Sequence, residues 1–172
     1  MKNVWRMIVT LFLMLSFSAT ATAQGGPTPI GNIVHIGSIT IQCVDPYGNQ
    51  VQNYFDPNLN QAAMASVIYG GPAIIMNPQI LHNYGVPFSV FAYAHECAHH
   101  YLGHVVNPSY APNPQHELSA DCYAAKSARD YGWLPKPYFW SAMQVLYGFQ
   151  ADPSHPPGPY RVQNAQQCYN TP

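Results

Sequence analysis

Residues 88–105 read FSVFAYAHECAHHYLGHV, and the fold turns on this stretch. Phe88, Phe91, Ala92, Cys97 and Ala98 supply one buried side at helical spacing, so Phe88 to Val105 is expected to be the strongest helix of the chain. Inside it, His95-Glu96-Cys97-Ala98-His99 is an H-E-x-x-H motif. Residues four apart lie one turn apart on the same helix face. Two imidazoles placed there can reach a single Zn²⁺ at about 2.0–2.1 Å. Glu96 is rotated by about 100° from His95. It flanks the metal without binding it, in position to act as base towards a zinc-bound water.

Two histidines do not complete a catalytic zinc site, which takes three protein ligands and keeps one position open. A metzincin would carry Gly three residues after His99 and His six after it, but those positions hold Leu102 and Val105. The next expected helix, Glu117 to Tyr131, opens with Glu117-Leu118-Ser119-Ala120-Asp121. Glu117 and Asp121 are again four apart and share a face. Glu117 would complete a His₂Glu site. Asp121 would accept a hydrogen bond from the outer nitrogen of His95, fixing its tautomer. Glu96, Glu117 and Asp121 are three of only seven carboxylates in the chain, so charge is concentrated where the chemistry is expected. His100 and His104 are also four apart but lack a third ligand of their own. They are expected to be solvated or hydrogen-bonded near the helix end, and the isolated His35 and His82 to be structural.

The combination His95-Glu96-x-x-His99 with Glu117-x-x-Ala120-Asp121 resembles the gluzincin metallopeptidases, the clan that includes thermolysin. Further on, His155-Pro156 is followed, after four intervening residues, by Arg161. This is similar to the His-Pro…Arg motif of the heat-shock and prenyl-protease-like envelope peptidases. The resemblance spans roughly Phe88 to Arg161. It implies a zincin-like domain, zinc-dependent endopeptidase activity on polypeptides, and a place for His155 and Arg161 near the zinc. His155 would stabilise the oxyanion, donate a proton or occupy the metal in a resting state, or else be a loop residue stiffened by Pro156 and Pro157. Arg161 would orient substrate or stabilise the oxyanion, or else pair with Asp121. By the same analogy Ala73 to Met76 would be an edge strand that pairs with extended substrate. A metal-stabilised envelope binding factor without turnover is the alternative function.

The rest of the 172 residues bounds these readings. Lys2 and Arg6, the apolar run Met7 to Phe17 and Ala21-Thr22-Ala23 read as a cleaved export signal over 1–23. The run falls well short of the ~20 apolar residues a membrane span needs. Residues 24–32 read as a flexible leader and 33–172 as a single domain. Periplasmic and fully secreted destinations both fit, and no membrane span is expected after cleavage. Beyond the signal the cations are Lys126, Arg129, Lys136 and Arg161, too few and scattered for a nucleic-acid surface. Cys43, Cys97, Cys122 and Cys168 lack C-x-x-C spacing, so disulfides are expected in preference to thiolate zinc. Three pairings exist, with Cys97–Cys122 and Cys43–Cys168 preferred. The fold class expected is α+β, mainly helical. Its small sheet comes from Ile33 to Val44 and Ala73 to Met76, Asn60 to Tyr69 is a helix, and two further helices lie at Pro137 to Tyr147 and Tyr160 to Cys168.

Overall fold

The computed structural model describes residues 25–105 and 113–171. The expected signal and most of the loop between Asn107 and Pro114 lie outside them. The architecture is α+β. Strands β1 (Thr28–Gly31), β2 (Ile33–Ile36), β3 (Ile39–Gln42), β4 (Gln52–Phe55), β5 (Ala63–Ile68) and β6 (Gly71–Met76) come first. Helices α1 (Pro78–Tyr84), α2 (Val86–Tyr101), α3 (Pro114–Asp130), α4 (Lys136–Tyr147) and α5 (Gly158–Asn170) follow. β2 and β3 form their own antiparallel hairpin. The other four make a sheet of order β1-β4-β6-β5. There β4 and β6 run parallel and the remaining pairs antiparallel.

β6 alternates as a strand with two covered faces should. Ile74 and Met76 enter the main core, while Ala73 and Ile75 pack with Tyr54 on the other side. It is an inner strand, so the expectation of an edge at Ala73 to Met76 is corrected: the edge strands are β1 and β5, and β5 is the neighbour of β6. The expected helix at Asn60 to Tyr69 is corrected as well. Ala63 to Ile68 pairs residue for residue with Met76 to Gly71. The connecting Tyr69 and Gly70 both adopt positive φ, 51° and 80°, the signature of a two-residue hairpin turn. Ala and Met tolerate either periodicity, and the turn decides between them. Thr28–Gly31 pairs with β4, so the flexible leader expected over 24–32 is ordered in its second half. The short α1 and β4 had no sequence signal in the reading above.

α2 is the central element. Phe88, Val90, Phe91, Tyr93, Ala94 and Ala98 are all buried, each large apolar side chain stabilising by about 1.5–3 kcal/mol. It ends at Tyr101 rather than Val105 because Gly103 turns left-handed at φ 73°. The Gly103 amide donates to His100 O (3.0 Å) and the His104 amide to His99 O (2.9 Å), a Schellman closure. α3 presents Ala120, Ala124, Ala125 and Ala128, each fully buried, so it packs closely against its neighbours. In the core, Phe139 of α4 stacks on Tyr169 of α5 with centroids 4.0 Å apart.

The disulfides are Cys43–Cys97 and Cys122–Cys168, which corrects the preferred pairing. Cys97 lies about 200° around the α2 axis from His95. The face of α2 that carries His95 meets α3, so Cys97 points away from Cys122 and towards the segment after β3. Cys122 is left to join α5.

Candidate metal centre

α2 and α3 each contribute one face to a buried cluster. His95, His99 and Glu117 offer ligand atoms that all lie within 4.8 Å of one another, and none of the three is more than 5% exposed. His95 Nε2 is 3.0 Å from His99 Nε2 and 3.1 Å from Glu117 Oε2. His99 Nε2 is 3.5 Å from Glu117 Oε1. A tetrahedral ion with ligand bonds of 2.0–2.1 Å separates its ligand atoms by about 3.3 Å, so the set fits such an ion. The protons point to the same conclusion. Asp121 Oδ1 lies 2.9 Å from His95 Nδ1 and can only accept, so Nδ1 carries a hydrogen and Nε2 is the nitrogen left to face the cluster. There it meets a carboxylate oxygen of Glu117, a contact that needs a cation or a proton between the two.

The electrostatics follow from this crowding. Burial pushes His95 down, but Asp121 and then Glu117 outweigh it and hold the imidazole at about 10. A metal must therefore displace a proton here. Burial would raise Glu117, yet its hydrogen bonds to His95 and His99 keep it far below the usual carboxylate range. Asp121 is fully buried and would be raised by that alone, but the Arg161 guanidinium, with His95, holds it low.

The structure brings the other expected residues to the same place. Arg161, on α5, donates from Nε to Asp121 Oδ2 and from Nη2 to Oδ1, both at 2.8 Å. Of the two roles open to it, the ion pair with Asp121 is the one the structure contains. Arg161, Asp121 and His95 thus form a chain that orients the imidazole. His155 sits at the rim, with Nε2 3.2 Å from Glu117 Oε2. Its other nitrogen, Nδ1, is 2.9 Å from Asp152 Oδ2 and 2.9 Å from Ser154 Oγ. Asp152 escaped the sequence reading, although its place three residues before His155 was a usable signal. Glu96 is half-buried on the other side of the cleft, and its Oε2 accepts the Ala65 amide of β5 at 2.7 Å. A cavity of about 190 Å³ opens beside His95 and Glu96, walled by Phe88, Phe91, Ala92, Leu146 and Phe149.

Of the two outcomes expected for His100 and His104 near the end of α2, the structure shows hydrogen bonding. His100 is 1% exposed and its Nε2 donates to Ala73 O at 2.8 Å, tying α2 to β6. His104 Nδ1 is 3.1 Å from His99 Nδ1, and burial pushes His104 down to about 4. No helix among the described residues is long and apolar enough to cross a membrane. No protein-family model matches the chain, and comparison with curated proteins and with solved structures returned no match.

Proposed function

We propose that this chain is a zinc-dependent endopeptidase of the gluzincin type that acts on exported or envelope polypeptides. His95, His99 and Glu117 hold the ion and Glu96 is the general base. The observation that carries the reading is the convergence of three buried ligand atoms at tetrahedral spacing, with a half-buried carboxylate one residue along the same helix turned to the cleft. Bound zinc supplies Lewis acidity, polarising a carbonyl and lowering the pKa of water.

The residues of the chain do the rest. Glu96 takes the proton of the attacking water and returns it to the leaving amine. Asp121, braced by Arg161, holds His95 in the tautomer that leaves Nε2 free for the ion. His155, fixed by Asp152, lies within hydrogen-bonding distance of Glu117 and can donate to the developing oxyanion. The free edge of β5 borders the cleft and suits an extended peptide. The apolar walls of the adjoining cavity suit one bulky apolar side chain of that peptide. Two disulfides fit a destination outside the reducing cytoplasm.

One contact favours the second reading, a metal-stabilised binding factor without turnover: the Glu96 carboxylate is tied to the Ala65 amide, as a purely structural group would be. The test compares cleavage of an unfolded protein by wild type and Glu96→Gln, each loaded with one zinc. Wild-type cleavage with a loss of about 10²–10⁴-fold in the variant is expected. Retained activity in the variant would overturn the assignment of the base. Zinc bound in both with cleavage by neither favours the binding factor.

A further inference from the structure

The two metal histidines are braced in different ways. His95 has the Asp121 carboxylate behind it, whereas behind His99 the described residues place another imidazole, His104. We propose that His104 is the positioning residue for His99: its bare Nδ1 accepts the Nδ1–H of His99 and so presents His99 Nε2 to the ion. This rests on the metal reading given above.

The hydrogen-bond polarity closes without conflict. If His99 Nε2 faces the metal, its Nδ1 carries the hydrogen, and the partner 3.1 Å away must accept. His104 then carries its own hydrogen on Nε2, which points at Ser119 Oγ, 3.4 Å away. Ser119 in turn donates to His116 O at 2.9 Å. Every member of the chain donates once, in one direction from α2 to α3.

The backbone sets this up. Gly103 at φ 73° reverses the chain, and the His104 amide closes on His99 O. The ring therefore folds back over the turn it braces. It also stacks on His116, with centroids 4.2 Å apart and planes within 7°. A ring held at both edges and on one face has little freedom, which is what an orienting partner requires.

The experiment measures zinc affinity by competition with a chromophoric chelator for wild type, His104→Phe and His104→Asn, and thermal unfolding of each metal-free protein. Phe keeps the stacking surface and removes the acceptor. Asn places a carbonyl oxygen where Nδ1 was. The expected result is zinc binding 10–100-fold weaker in His104→Phe, largely restored in His104→Asn, with similar metal-free unfolding temperatures. Wild-type affinity in His104→Phe, or failure of Asn to rescue, overturns the proposal; the second result would mean a direct ligand or a packing role. A wild type that binds no zinc overturns the metal reading itself, and the proposal with it.

Discussion

Asp121 has two buried dependants. It accepts from Arg161 through both oxygens and from His95 through one, and Arg161 is only 7% exposed. Replacing it by Ala leaves a guanidinium in the interior without a counter-charge, a defect that typically costs about 3–5 kcal/mol. Asp121→Ala is therefore expected to lower the denaturant midpoint of the metal-free protein sharply and to weaken zinc binding as well. A variant as stable as wild type would show that Arg161 finds another partner. The identities of His95, Glu96, His99, Glu117 and Asp121 were legible because helical spacing converts sequence distance into angle. The link from Arg161 to Asp121 spans 40 residues; the sequence offered it as one of two alternatives, and spacing alone does not choose between them. For His104 the sequence left solvation and hydrogen bonding both open, and named no partner, for a different reason. Its position depends on a positive φ at Gly103, and a glycine near a helix end permits that angle without requiring it.

Elements hold these side chains by fitting closely. α5 starts at Gly158, where a Cβ would collide with the carbonyl oxygens of Leu146, Tyr147 and Phe149. Gly158 also donates to Phe149 O at 2.9 Å, so the end of α4 and the start of α5 meet backbone to backbone. Arg161 lies one turn further on. Gly158→Ala must push α5 away from α4, at a cost of about 1–3 kcal/mol for such overpacking. It should also loosen the Arg161 brace. Unfolding and zinc titration of the variant should both show a loss, and unchanged zinc affinity would uncouple α5 from the site. At this scale α2, α3, α4 and α5 were readable from the sequence within a few residues at each end, and α1 was not. β5 was not, because Ala63-Met64-Ala65 suits either period and only pairing with β6 decides. The same pairing moved the free edge from β6 to β5, which is why the strand beside Glu96 differs from the one expected.

Across the whole molecule, one disulfide flanks each half of the site. Cys97 is the neighbour of Glu96, and its bond to Cys43 spans 54 residues. Cys122 is the neighbour of Asp121, and its bond to Cys168 spans 46. Closing loops of this size stabilises a fold by about 4 kcal/mol each in the chain-entropy view, a large part of the 5–15 kcal/mol a domain typically has. Treatment of the metal-free protein with dithiothreitol is expected to lower its unfolding midpoint markedly; an unchanged midpoint would mean that the core suffices alone. The pairing itself was hidden because it depends on how α2 is rotated, and that rotation is fixed by the contact of its metal face with α3. A chain still bathed in reduced glutathione would have neither staple. On the proposed function, oxidation would then be the step that fastens both halves of the site to the rest of the fold.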